Sequence, residues 1–325
     1  MQAWLCETLS GPEGLVWKEV PTPEPGPGEV RIAIRAASLN FPDILIVQGK
    51  YQAKPALPFV PGSEYAGVID AVGTGVKGLA PGDAVAALGT MGGFATHGIV
   101  AAGRVVPLPP GFPFEDAAAF TLTYGTSHHA LVDRAALRAG ETVLVLGAAG
   151  GVGSSAIQVA KAVGARVIAA ASSDDKCAFC RTLGADETLN YGTQDLREAV
   201  KALTGGKGAD VIYDPVGGDL AEPAFRSIAW RGRYLVIGFA QGGIPALPLN
   251  LPLLKGASIV GAFWGEFVRR EPEASARGLA QLAQWYAQGL VKPAIDLKLP
   301  MRELPQAFAR MAARQVRGKL VMVNG

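Results

Sequence analysis

Histidine and cysteine are scarce in this chain, with three of each among 325 residues. Cys6, Cys177 and Cys180 are odd in number, which argues against a disulfide framework and fits a reducing cytoplasm. Cys177 and Cys180 form a C-x-x-C pair, but the second pair that a structural zinc needs is missing. Neither His97 nor His128 nor His129 has a cysteine or histidine partner at ligand spacing, so core or surface roles are expected for all three. Charge is sparse too, at 18%, and balanced: 30 basic residues against 28 acidic ones, with no basic run longer than Arg269-Arg270. That pattern excludes nucleic acid or an anionic membrane as the main partner. No apolar run reaches the ~18 residues of a spanning helix without a charge or a Gly/Pro break. The start, MQAWLCETLS, has no basic segment ahead of an apolar core, so no export signal is expected and the location read from the sequence is cytoplasmic. What is plentiful is apolar side chains, 49%, with 42 glycines and 23 prolines. The composition is that of a well-buried globular protein, and the length favours two domains over one core.

Three regimes follow along the chain. Residues 1–120 hold short β-type runs, EVRIAIRAA, AGVIDAVG, DAVAAL and FATHGIVAA, punctuated by turn signals such as PGPG, VPGS and APGD. They predict a β-rich, barrel-like domain. Over residues 121–263 apolar strands alternate with helical patterns, which predicts a doubly wound parallel sheet with helices on both faces. Residues 264–325 carry an amphipathic helix near GLAQLAQWYAQG, a β-type run IDLKLP, a further helix and a closing strand KLVMVNG. The run GASIVGAFW reads as the apolar edge strand of the parallel sheet, and such an edge is normally covered or paired, which points to a homodimer.

The most specific signal is TVLVLGAAGGVGSSAIQVAK. An apolar strand, Val143 to Leu146, runs into a glycine-rich turn, and a helix is expected from about Ser154. Glycines let the backbone approach a pyrophosphate, and the helix N-terminus stabilises its charge. Ala148 takes the first position of the dinucleotide fingerprint, Gly150 the second and Gly153 the third, with Gly151 and Val152 completing the phosphate turn. NAD sites place an acidic residue at the end of the next strand. Here ARVIAAASSDDK puts Ala171 there, followed by Ser172, Ser173 and Lys176. Two hydroxyls and an ammonium suit a 2′-phosphate, so NADPH is the expected cofactor. Asp174 and Asp175 are open between helix capping and ribose contact.

With these residues placed, the whole chain resembles the zinc-free quinone oxidoreductase branch of the medium-chain dehydrogenase/reductase superfamily. The resemblance rests on AAGGVG at 148–153, SLNFPD at 38–43, PFVPGSEYAGVI at 58–69 and GKLV at 318–321. It implies a GroES-like catalytic domain built from both chain ends, residues 1–120 and 264–325, with a Rossmann dinucleotide domain, 121–263, inserted between them. Zinc-dependent relatives place a catalytic cysteine where Asn40 stands and a His-Glu pair where Ser63-Glu64 stands, and they carry a four-cysteine lobe after the turn matched by PGDAVAAL. Asn40 and Ser63 are poor ligands, and the segment just after Leu88 has no cysteine. The expectation is chemistry without a metal.

Something else must then polarise an acceptor carbonyl. A neutral phenol can do so, and Tyr51 in IVQGKY resembles the catalytic tyrosine of enoyl thioester reductases in this superfamily. Asn40, in the same stretch, is open between a hydrogen bond to substrate or ribose and a turn cap. By the same resemblance Tyr191 lies at the adenine end and Thr123 near the nicotinamide, while Phe239 follows a strand at the ligand-bearing edge. Lys319 is open between the cofactor phosphates and solvent. The leading expectation is an NADPH-dependent, zinc-independent reductase of quinones or α,β-unsaturated carbonyls, with Tyr51 and Asn40 catalytic. A 2-enoyl thioester reductase is the enzymatic alternative, and a non-catalytic NADPH-binding structural or sensory protein is the alternative of another class.

Overall fold

The Pro- and Gly-rich first regime folds into short antiparallel strands, as its turn signals require. In the computed structural model, which describes residues 1–89 and 91–325, β1 (Gln2–Cys6) and β2 (Leu15–Glu19) make a separate two-stranded ribbon. The main sheet is built on β3 (Glu29–Leu39), β4 (Glu64–Val72), β5 (Ala84–Leu88), β6 (His97–Ala101) and β7 (Val105–Pro107). Strand β3 pairs with β4 and β6, β4 with β5, and β5 with β7, all antiparallel. Val30, Ile32 and Ile34 alternate inward along the first half of β3, the period of a strand with one wet face. From Ala36 to Leu39 the alternation ends, and every residue is buried. That enclosed end of β3 is where the polar site of this unit forms.

The second regime gives β8 (Thr142–Val145), β9 (Arg166–Ala171), β10 (Glu187–Asn190), β11 (Ala209–Asp214), β12 (Ile228–Val236) and β13 (Ser258–Gly261). All pairings are parallel, in the order β10-β9-β8-β11-β12-β13. This is the Rossmann order, reversing direction between β8 and β11, and ligands of such sheets bind off the carboxyl ends at that switch point. Val143, Leu144 and Val145 are fully buried, as expected of a central strand covered on both faces. Strand β13 is the sheet edge, as its sequence predicts, with Ile259 partly exposed on it.

The chain then returns: β15 (Lys319–Val323) pairs antiparallel with β3 and parallel with β14 (Ile295–Pro300), so the first sheet reads β14-β15-β3-β4-β5-β7. Two compact units result, residues 1–122 with 295–325 and residues 123–294. The return therefore falls at 295, later than the expected 264. Helices Trp264–Arg270 and Pro272–Ala287 stay with the second unit because their small residues seat them there. A Cβ on Gly125 would lie 2.6 Å from the Trp264 indole, and one on Gly278 would lie 3.1 Å from His128 Nδ1.

Candidate active site

In the first unit the register of the sheet gathers three strand ends. Ser38 stands opposite Glu64 across β3 and β4, and Leu39 opposite Leu320 across β3 and β15. Asn40 then leaves β3 and opens the short helix Phe41–Val47, whose first turn carries Asp43. The result is a buried polar cluster. Lys319 Nζ donates to Asn40 Oδ1 at 2.5 Å and to Glu64 Oε2 at 3.3 Å. Glu64 Oε2 also accepts from Ser38 Oγ at 2.7 Å and Asn40 Nδ2 at 3.1 Å, while its Oε1 accepts the Leu122 N–H at 2.8 Å. Asp43 Oδ2 accepts the Asn40 N–H at 2.8 Å, and Oδ1 accepts from Ser63 Oγ at 3.2 Å. Asp43 and Glu64 are each 1% exposed and Lys319 4%.

Burial of this depth penalises charge. It pushes the Asp43 carboxyl up to about 7, against the backbone hydrogen bond from Asn40 and the nearby Lys319 ammonium, which pull it down. Desolvation lowers Lys319, with Glu64 and Asp43 opposing. Tyr51 follows the turn that closes helix Phe41–Val47, where the Lys50 N–H bonds Leu45 O, and its ring packs half-buried on the core of this unit. Desolvation raises the Tyr51 phenol, and the charge of Asp43 raises it further. No hydrogen bond among the described residues engages the Tyr51 hydroxyl.

Asn40 turns out to be a clamp. Both sides of its amide are engaged inside the cluster, the oxygen by Lys319 and the nitrogen by Glu64 and Ser38. Lys319 does not face solvent, since it is the buried cation of the cluster. Sequence reasoning passed over Asp43 and Glu64 as site residues. The N-x-x-D spacing of Asn40 and Asp43, a helix-start signature, was the signal that could have found Asp43.

In the second unit the glycine turn follows β8. The helix begins at Gly151, a turn earlier than Ser154, and runs to Val163 with Gly150 at its N-cap. No side chain caps it, so its first-turn N–H groups are left for an anion. The left-handed turn falls on Gly147, φ +55°, so that residue and not Ala148 provides the sharp reversal. Gly153 is required by packing: a Cβ there would come 2.3 Å from Gly147 O. The Val152 carbonyl accepts from Ser127 Oγ at 3.1 Å and Ser155 Oγ at 3.0 Å, and Ser155 Oγ also lies 3.0 Å from the Thr123 carbonyl. Thr123 is thereby tied by its backbone to the phosphate turn.

Past the end of β9, Ser172 is exposed and 3.3 Å from Lys176 Nζ. Ser173 caps helix Asp174–Thr182 by accepting the Lys176 N–H. Asp174 lies in that helix's first turn and accepts from Asn190 Nδ2 at 2.8 Å. The Tyr191 N–H bonds Ala171 O, which holds this residue beside the same strand end. Phe239 lies after β12 against Gly217, where a Cβ would be 2.8 Å from its ring. These residues of the second unit cluster at the carboxyl ends of β8, β9, β11 and β12, and their groups fit a dinucleotide: uncapped N–H groups for a pyrophosphate, a hydroxyl–ammonium pair for a further phosphate. Cys177 and Cys180 are buried, and desolvation raises both thiols, Cys180 to about 12, so neither is a reactive thiolate. His128 and His129 line a cavity of about 320 Å³ with Trp264 and Phe267, away from these groups.

Residues 26–110 match the alcohol dehydrogenase GroES-like domain, and residues 151–282 match the zinc-binding dehydrogenase family. The chain is 39% identical over 323 residues to quinone oxidoreductase-like protein 2 of Bos taurus, covering 99% of this chain and 92% of that one. Among solved structures it is similar to Escherichia coli quinone oxidoreductase complexed with NADPH, at 28% identity, full coverage of both chains and a TM-score of 0.92. It is also similar to a structure described as an NAD-dependent alcohol dehydrogenase, at 34% identity, full coverage of both and a TM-score of 0.88. The zinc of the matched family does not fit the donors present. Asn40 and Ser63 offer no strong ligand, an ammonium fills the space beside Glu64, and no three His, Cys, Asp or Glu side chains converge as a ligand set among the described residues. Sequence match and fold agree, and the chain belongs to the quinone oxidoreductase branch of the medium-chain dehydrogenase/reductase superfamily.

Proposed function

We propose that this protein is an NADPH-dependent, zinc-independent reductase of quinones or α,β-unsaturated carbonyls. The observation that carries the cofactor assignment is the strand end after β9. Ala171 stands where a ribose-binding carboxylate would be, and the Lys176 ammonium lies 3.3 Å from Ser172 Oγ. That pair suits a 2′-phosphate, with Ser173 and Tyr191 beside it. Gly150, Gly151, Val152 and Gly153 take the pyrophosphate at the helix N-terminus, and Thr123 and Phe239 flank the nicotinamide end. When bound there, NADPH supplies a hydride.

The first unit supplies the acceptor's environment. Negative charge develops on the acceptor oxygen as it is reduced, and the uncommitted Tyr51 hydroxyl donates to it. Lys319 gives the first unit an internal cation, which supports chemistry without a metal. Asn40 acts by holding that cation in place.

The test is NADPH oxidation by purified, metal-stripped protein, with a benzoquinone and a 2-enoyl thioester as parallel acceptors. Turnover on the quinone is expected, with NADPH preferred over NADH. Strong preference for the thioester would move the protein to the enoyl reductase reading, which the setting of Tyr51 favours. Tight NADPH binding with no turnover on either would mark a binding protein. We also propose a homodimer through the β13 edge, where Ile259, Phe263, Trp230 and Leu253 are exposed. A monomer in size exclusion at micromolar concentration would overturn that assembly.

A further inference from the structure

The cluster in the first unit buries two carboxyls, Asp43 and Glu64, against one ammonium, Lys319. Fully ionised it would hold a net negative charge away from water, which is costly unless one carboxyl keeps a proton. The hydrogen bonds single out which one. Glu64 accepts from Ser38, Asn40, Lys319 and Leu122, so both of its oxygens are committed to donors. Asp43 has one oxygen on the Asn40 N–H, and the other meets only Ser63 Oγ, a hydroxyl that can equally accept. A proton on Asp43 Oδ1 is satisfied where it stands. Tyr51 is a poor source of the proton that reduction consumes, because burial makes its phenol hold on more tightly.

We propose that Asp43, acting through Ser63, stores the proton consumed in the reduction, while Tyr51 donates a hydrogen bond without ionising. The inference rests on the reductase reading above. The balance is simple. The hydride adds two electrons and one proton to the acceptor, and the product needs one proton more. The Asp43 Oδ1–H bond breaks and a bond to Ser63 Oγ forms, as the serine's own proton passes to the product oxygen. The carboxylate left on Asp43 is held by the Asn40 N–H and by Lys319, and solvent restores the proton before the next turnover. The groups facing Asp43 are Lys319 from β15, Glu64 and Ser63 at the start of β4, Asn40 at the end of β3 and the Tyr51 phenol. Ser63, whose proton reaches the product oxygen, is the catalytic residue of this scheme, and Asp43 is a positioning residue that acts through it.

Two readouts test it on the full chain. In infrared spectra taken from about pH 5 to about pH 9, a protonated-carboxyl band should titrate near neutrality and be absent from D43N. In steady-state kinetics with a benzoquinone, wild-type kcat should fall roughly tenfold per pH unit above neutrality. D43N should lose that limb and roughly 100-fold of kcat with little change in KM. S63A should lose kcat in the same way, and S63T, which keeps the hydroxyl, should restore it. If D43N fails to fold, S63A and S63T decide the matter alone, and wild-type kcat in S63A would overturn the proposal. An unchanged pH profile in D43N with wild-type turnover intact would overturn the proton store and leave the reductase reading standing. Absence of wild-type turnover on any quinone or enone would overturn both, whatever the infrared titration shows.

Discussion

Asp43 in the first unit and Asp214 in the second are both exposed by 2% or less, and the two are held differently. Asp214, at the end of β11, accepts the N–H groups of Val216 and Gly217 at 2.7 and 2.9 Å and the Tyr234 hydroxyl as well. The two backbone N–H groups are fixed donors and shape the turn that follows the strand, while the Tyr234 hydroxyl on the other oxygen can reverse its role. Asp43 has one fixed donor, Asn40 N–H, and otherwise faces a reversible hydroxyl and charged neighbours on other strands. Burial raises both carboxyls. What separates them is the charge around them, since Lys319 and Glu64 act on Asp43 whereas Asp214 is held by hydrogen bonds. A buried acid therefore serves as architecture or as a proton site according to its neighbours, and depth alone does not decide which.

The sharpest way to break this contrast is to remove the cation. Lys319→Met leaves Glu64 and Asp43 facing each other in a dry cluster and should cost about 3–5 kcal/mol in urea unfolding. Adding Glu64→Gln to that variant should recover much of the loss, since the pair acts as a unit. Next, Asp214→Ala should cost about 3 kcal/mol, because its backbone donors are stranded. Asp43→Asn should instead change the pH dependence. A carboxyl raised on folding binds a proton the unfolded chain has released. Its stabilising contribution is therefore complete below its ordinary range and lost as pH rises to about 7. Thermal unfolding of wild type should show that decline between about pH 4 and about pH 7, and D43N should flatten it.

Smaller effects belong to the dinucleotide unit, where the groups at issue are a glycine turn and one ammonium. Gly153→Ala places a Cβ 2.3 Å from Gly147 O and should cost about 1–3 kcal/mol, with weaker NADPH binding by calorimetry. Lys176→Ala should raise KM for NADPH roughly tenfold while leaving KM for NADH nearly unchanged. Equal losses for the two cofactors would place Lys176 outside the phosphate site.

The glycine turn was readable because its physics is local. A strand, a sharp reversal and a helix occupy consecutive residues, and only glycine fits at Gly147 and Gly153. The run Ser172-Ser173 with Lys176 was readable for the same reason, one helical turn bringing Lys176 back to Ser172. Strand identities followed from period and turn residues, and the parallel, doubly wound character of the sheet from the alternation of strands and helices. The return point of the chain was not readable, because it depends on Gly125 and Gly278 letting helices far along the chain pack closely. Nor was the partner of Lys319. Asn40, Glu64 and Lys319 lie in separate stretches, and only the antiparallel register of β15, β3 and β4 brings their strand ends together. Sequence by itself determined the fold class, the family and the glycine turn, since those rest on short-range pattern. Tertiary structure alone decided which charges are buried together and which aspartate stands among them, because desolvation and charge pairing depend on distance in space and not on separation along the chain.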